Sequence, residues 1–197
     1  MKVLVACEYS GRVRDAFIAK GHDAMSCDIL PSDTPGPHHE GDIFDVLDDG
    51  WDLMIAHPPC TYLANSGVQH LHKDPKRWDR MKCGALFFRA LWLADIKKIC
   101  IENPVMHKYA VRYIGQRQTQ VVQPWMFGHT EQKQTCLWLH NLPKLEPTDN
   151  VKEEMMLLPK NQRERLHYLP PSPTRWKERS TTYQGIADAM AEQWGTL

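Results

Sequence analysis

The tetrapeptide His57-Pro58-Pro59-Cys60 and the tripeptide Glu102-Asn103-Pro104 each set a reactive side chain beside prolines that stiffen the backbone around it. Two prolines ahead of Cys60 remove two backbone donors, so the thiol is expected at the end of an element and pointing in a fixed direction. Such a thiol is a candidate nucleophile. The basic stretch Lys73 to Lys82 and the amino end of a following helix are expected to lower its pKa toward thiolate. The competing reading, a small apolar plug, is the one adopted for Cys7, Cys27, Cys83, Cys100 and Cys136. Glu102 emerges from the apolar run Ile99-Cys100-Ile101, so its carboxyl is expected to have a raised pKa and, protonated, to donate a hydrogen bond to a base ring. A salt-bridged or helix-capping glutamate is the equal alternative by position alone. Two further acids belong to the same set. Asp28 lies 17 residues beyond the last residue of Glu8-Tyr9-Ser10-Gly11, near the spacing at which an acid accepts hydrogen bonds from ribose hydroxyls. Asp42 could accept from an adenine amino group, and either acid could instead be a helix cap.

These residues need a scaffold that brings them to one edge. Lys2 to Cys7 (KVLVAC) reads as a strand buried on both faces, followed by a turn at Glu8 to Gly11 and a helix over Ser10 to Lys20 closed by Gly21. His22 to Ile29 is a second strand ending in Cys27-Asp28-Ile29, and Pro31 to Pro37 is a loop. Gly41-Asp42-Ile43 opens a short helix, and Trp51 to Ala56 (WDLMIA) is a buried strand that stops at His57 and Pro58. Thr61 to Lys82 reads as a mobile basic loop entering a helix at Trp78 to Lys97, and Lys98 to Glu102 is the next strand. Gln118 to Gln123 and Gln134 to His140 are expected as an antiparallel pair at one edge. Leu142 to Arg179 is proline-rich and carries no assignable regular structure; Tyr183 to Trp194 closes the chain as a helix. The alternation predicts an α/β, Rossmann-like doubly wound sheet, mostly parallel, whose ligands bind beyond the carboxyl ends of the strands.

Composition narrows the function classes. The chain has 197 residues, 42% hydrophobic and 24% charged, as expected for a single packed domain spanning residues 1–197. No apolar run is long enough to cross a bilayer, and the amino-terminal MKVLVACEYSGR lacks a small-residue cleavage site, so a cytoplasmic protein with no membrane partner is expected. The six cysteines show no CxxC pair and no close Cys/His ligand spacing, which predicts reduced thiols and no metal site. A formal net charge of zero hides an asymmetry: residues 1–59 hold 4 Lys and Arg against 11 Asp and Glu, leaving 20 against 13 in the remainder. An acidic first part suits a ligand with hydroxyls and a positive centre, and a basic remainder suits phosphates, unless surface charge merely drifts along the chain.

The ordered segments Ala6 to Gly11 (ACEYSG), Cys27-Asp28, Gly41-Asp42-Ile43, Asp52 to Cys60 (DLMIAHPPC) continuing to Ala64-Asn65-Ser66-Gly67, Ile101 to Pro104 (IENP) and Tyr183 to Ala191 resemble the DNA cytosine carbon-5 methyltransferases, a class I S-adenosylmethionine-dependent family. The resemblance covers residues 1–140 and 180–197. It implies the class I methyltransferase fold and S-adenosyl-L-methionine as cofactor, bound by Glu8, Tyr9, Ser10, Gly11, Asp28, Ile29, Asp42, Ile43, His57 and Pro58. By the same resemblance Cys60 attacks carbon 6 of the pyrimidine, Glu102 acts as the acid at ring nitrogen 3, and Asn103 orients the loop holding them. The Thr61 to Met81 loop would close over an extruded base. Lys73, Lys76, Arg77, Arg80, Gln118 and Gln120 would contact nucleic acid. Against the family pattern, His57 stands where glycine is common, and the Gln-x-Arg-x-Arg strand has only a partial counterpart in Gln118 to Val122. In place of the target-recognition domain the chain has the proline-rich stretch 142–180, which looks like a compact, phage-type member. The expected substrate is DNA, with RNA or a free nucleotide as the alternative. A protein that keeps the fold to bind nucleic acid without turnover is the reading from a different class.

Overall fold

The computed structural model describes residues 1–197 and shows a Rossmann-like α/β fold. Seven strands form one sheet: β1 (Lys2–Ala6), β2 (Asp23–Asp28), β3 (His38–Glu40), β4 (Leu53–Ala56), β5 (Lys98–Pro104), β6 (Gln120–Val122) and β7 (Thr135–His140). Their spatial order is β3-β2-β1-β4-β5-β7-β6. The strands from β3 through β5 pair in parallel, and β7 runs antiparallel to both β5 and β6. Strand order reverses between β1 and β4, and in open α/β sheets the crevice at such a point receives ligands.

Alternation along the central strands builds both layers. In β1, Val3 and Val5 face one core with Leu53 and Ile55 of β4, while Leu4 and Ala6 face the other with Met54 and Ala56. The Val3 side is covered by α1 (Arg12–Ala19) and α8 (Gln184–Trp194), through Phe17, Ile186, Met190 and Trp194. The Leu4 side is covered by α2 (Lys76–Trp92) and α3 (Lys108–Ile114), through Met81, Phe88, Leu91, Ala110 and Ile114. β3 and α3 occupy stretches for which the sequence offered no assignment, and α2 ends at Trp92, short of the expected Lys97. Stretch 142–180 departs from the irregular insertion expected of it. It contains four short helices, α4 (Lys152–Leu157), α5 (Lys160–Arg163), α6 (Arg165–Tyr168) and α7 (Arg175–Ser180), pinned to the core by Met155 and Leu166. No helix is long and apolar enough to cross a membrane.

A buried cation fixes the turn beside β2. The Arg14 side chain is fully enclosed; its guanidinium donates to Asp15 Oδ1 (2.8 Å), Ser26 Oγ (3.0 Å), Ser32 Oγ (3.1 Å) and Thr34 Oγ1 (2.7 Å). It thereby ties α1 to the 32–35 turn. Arg14→Ala removes these bonds at once and leaves buried Ser26 with only His38, so a loss of about 3 kcal/mol is expected, read as a lower midpoint in urea unfolding.

Candidate functional site

One large cavity, about 1300 Å³, opens at the carboxyl ends of the parallel strands. A pocket for a single small ligand is usually about 300–1000 Å³, so this one has room for two reactants side by side. Cys7, Asp28, Ile29, Gly41, Asp42 and Ile43 line one end; His57, Pro59, Cys60, Thr61 and Pro104 line the other. Residues from 164 to 180 form the facing wall, including Trp176 and Arg179.

The first end is built by the β1 and β2 termini. Asp28 is half-buried, with Oδ1 accepting from the Leu30 amide at 3.0 Å, and burial raises its pKa against the pull of that amide and of His38. Asp42 is exposed and accepts from the Phe44 amide, and the neighbouring Ile29 side chain is 78% exposed at the cavity rim. A pair of carboxylates beside uncovered apolar surface fits the ribose hydroxyls and adenine ring of an adenosyl group. Cys7 takes a φ of +58°, in the region that favours glycine, at the point where the chain leaves β1 and borders the cavity. Its thiol is pushed up by burial and then by Asp28, so it is a neutral wall.

Three residues of the Glu8 to Gly11 turn do another job than the expected cofactor contact. Glu8 is buried; its carboxylate accepts from Ser10 Oγ (3.1 Å) and from the amides of Val13 (2.8 Å) and Arg14 (3.2 Å). It caps the amino end of α1, where a carboxylate meets unpaired amides and the positive end of the helix dipole. Gly11, at φ +73°, lies where an added Cβ would meet Thr34 Oγ1. Only Tyr9 of the four lines the cavity, its ring tilted against Trp176 of α7 with centroids 5.5 Å apart.

At the second end, Asn103 Nδ2 donates to the Pro58 carbonyl at 2.8 Å, tying the end of β5 to the Pro-Pro-Cys loop. Beyond Thr61, the loop to Met81 contributes nothing to the cavity lining. Buried Leu63 and Leu71 and backbone bonds from His107 to Leu63 and from Asn65 to Val105 fasten it toward α3. Lys73, Lys76, Arg77 and Arg80 are therefore off the cavity wall: Arg77 donates to the Thr61 carbonyl and sits over the Tyr62 ring, joined there by Arg80. Gln120 is not available as a contact, because its amide is doubly bonded to the Leu145 backbone; Gln118 is exposed.

The expected fall of the Cys60 pKa is reversed, and Glu102 follows its salt-bridged alternative. Burial raises the Cys60 pKa above its ordinary 9.0 and Glu102 raises it further, while Lys133 and Arg179 pull against them. The charges expected to favour thiolate, in the 73–82 segment, are too far away to act. For Glu102, burial pushes upward but the His57 hydrogen bond and the Lys133 and His57 charges outweigh it, so the pKa falls below its ordinary 4.5. The Glu102 Oε2 to His57 Nδ1 distance is 3.0 Å, and both side chains are about nine-tenths buried. With Nδ1 engaged by a carboxylate, His57 Nε2 is left without a partner, on a residue that lines the cavity. Of the two equal readings of Glu102, the fold realises the paired one, with His57 as the partner.

Lys133, His167, Arg175, Trp176 and Arg179 escaped the sequence reading entirely. The one available signal was the four-residue spacing of Arg175 and Arg179, which sets both on one helix face, but the surrounding prolines hid the helix.

No protein-family model matches the sequence and no curated protein matches it. Among solved structures, the chain is similar to a prophage-encoded protein of E. coli provisionally named a DNA modification methyltransferase, at 15% identity and a TM-score of 0.47 over 81% of this chain and 56% of that one. It is also similar to WbdD, solved with the kinase inhibitor LY294002, at 13% identity and a TM-score of 0.39 over 70% of this chain. The chain thus spans about half the length of the first and, at 35%, about a third of the second. A likeness of this degree does not define an activity.

Proposed function

We propose that this protein transfers a methyl group from S-adenosyl-L-methionine to carbon 5 of cytosine in DNA through a covalent adduct at Cys60. The observation that carries the reading is a single cavity with an adenosine-compatible end at Asp28, Ile29 and Asp42 and a thiol at the other, bordered by His57, which is itself bonded to buried Glu102. The antiparallel edge strands support the class I methyltransferase architecture. When bound, the cofactor supplies a sulfonium methyl group, an electrophile that carbon 5 of cytosine is too weak a nucleophile to attack unaided.

The chain's own residues remove that limit. Cys60 Sγ, after losing its proton, adds to carbon 6, and the electron pair of the 5,6 double bond becomes available at carbon 5 as an enamine. Charge that the addition places on the ring is offset at nitrogen 3 by a proton held by the His57–Glu102 pair, with His57 the member at the cavity wall; acid catalysis of this kind contributes about 10²- to 10⁴-fold. Once carbon 5 has taken the methyl group, loss of its hydrogen as a proton returns the electrons to the ring and expels Cys60 Sγ. Asn103 keeps the loop in register by its bond to Pro58.

The test is transfer of labelled methyl groups to duplex DNA, single strands, RNA and mononucleotides, with 5-methylcytosine as the expected product. Cofactor binding without transfer to any of the four overturns the reading. Asp28→Ala is expected to weaken cofactor binding about 10- to 100-fold in calorimetry, the size of one lost charge-assisted hydrogen bond; equal binding would remove Asp28 from the adenosine site.

A further inference from the structure

The cavity wall beside Cys60 carries three cations, none of them ion-paired to a carboxylate. Lys133 comes from the irregular segment leading into β7, and Arg175 and Arg179 lie one turn apart on α7. Every ion pair in the molecule within 4.0 Å leaves them out; the nearby charges Arg165 and Lys177 are the ones paired, to Glu131, Glu178 and Asp33. Backbone carbonyls fix all three. Lys133 Nζ donates to the Arg179 carbonyl at 2.9 Å, Arg179 Nη1 to the Leu166 carbonyl at 3.1 Å and Arg175 Nε to the Leu169 carbonyl at 2.8 Å. Each bond uses one donor and leaves others free, since an ammonium has three and a guanidinium five. The only carboxylate contributed to the cavity by the same wall is Glu164.

Three fixed cations brought together in a semi-enclosed space repel one another, and the arrangement is favourable when an anion sits among them. Guanidinium groups match phosphate oxygens in bidentate geometry, and an ammonium adds a point charge. The positive field felt by Cys60 comes from Lys133 and Arg179, which puts the anion within a nucleotide's length of the thiol.

We propose that Lys133, Arg175 and Arg179 form a phosphate subsite that holds the phosphate of the nucleotide whose base reaches Cys60. The inference rests on the cytosine methylation reading for what lies against the thiol, and it deepens that reading by assigning the phosphate-bearing part of the substrate to the 164–180 wall. The shared chemistry is a pyrimidine nucleotide phosphate, whether free or within a strand.

The experiment is calorimetric titration of the full chain with dCMP, deoxycytidine and inorganic phosphate, each on the wild type, Lys133→Gln and Lys133→Arg. A single-stranded oligonucleotide serves as competitor against dCMP. Expected is a dCMP preference over deoxycytidine of roughly 10- to 100-fold, the range for one or more charge-assisted hydrogen bonds, lost in Lys133→Gln and restored by Lys133→Arg. Restoration by the second variant excludes misfolding as the cause of the loss. Competition by the oligonucleotide assigns the phosphate to a strand, and binding of dCMP alone assigns it to a free nucleotide; both support the subsite. Lys133-dependent binding of inorganic phosphate as tight as that of dCMP, with deoxycytidine weaker than both, also supports it, while overturning the cytosine assignment. If dCMP and deoxycytidine bind alike, or if Lys133→Gln leaves the difference intact, the subsite is overturned even where DNA is methylated.

Discussion

Cys60→Ala is expected to lower methyl transfer by on the order of 10⁴-fold or more while leaving the fold and cofactor binding in place. That loss corresponds to about 5.4 kcal/mol of transition-state stabilisation, which is the scale at which removing a covalent nucleophile acts. The side chain is partly exposed at a strand end and fills no core void, so the stability cost is about 1 kcal/mol or less. With the cofactor present, a stable adduct with an oligonucleotide carrying 5-fluorocytosine is expected in the wild type and absent in the variant, because after methyl transfer carbon 5 carries fluorine in place of the hydrogen whose loss would expel the thiol. Retained activity in Cys60→Ala ends the covalent proposal. The raised thiol pKa adds a pH signature. At neutral pH the thiol is mainly protonated, so kcat/KM is expected to rise about tenfold per pH unit toward and beyond pH 9, until the thiolate predominates.

His57→Gln is expected to lower kcat by about 10²- to 10³-fold with little change in KM, because Gln can still donate to Glu102 but cannot hold a mobile proton. His57→Ala separates this chemistry from structure. Without its imidazole partner, buried Glu102 keeps the desolvation that raises its pKa and only the Lys133 charge to lower it, so its folded pKa rises relative to wild type. In the wild type the folded pKa lies below 4.5, so Glu102 contributes stability that is complete above that pH and is lost as pH falls through the folded value. In His57→Ala the folded pKa is higher than in wild type, so Glu102 contributes less stability once pH has risen through the two folded values. Thermal midpoints measured from pH 3 to 7 should therefore show the variant losing most relative to wild type at the neutral end. A constant offset across the range would mean that His57 does not govern the state of Glu102.

The closing helix α8 and both core faces were legible because strand and helix periodicity report burial directly: Leu4 and Ala6 alternate with Val3 and Val5, and Ile186, Met190 and Trp194 recur at helical spacing. The strand-end positions of Asp28, Cys60 and Glu102 followed from the same periodicity, since an open parallel sheet collects its strand termini at one edge. What those groups touch was another matter. Glu8 read as a cofactor contact and is a helix cap; Lys73 to Lys82 read as the charges acting on Cys60 and lie off the cavity.

Local pattern fixes whether a residue is in or out and on which element, because that depends on neighbours a few positions away. Protonation state and partnership depend on groups brought close by chain crossings of 45 residues for His57 and Glu102, and by the return of α7 across the sheet edge. Coulomb and hydrogen-bond energies fall away within a few ångströms, so only the folded arrangement decides that the buried acid is ionised, that the thiol is not, and that the cations facing it are Lys133, Arg175 and Arg179.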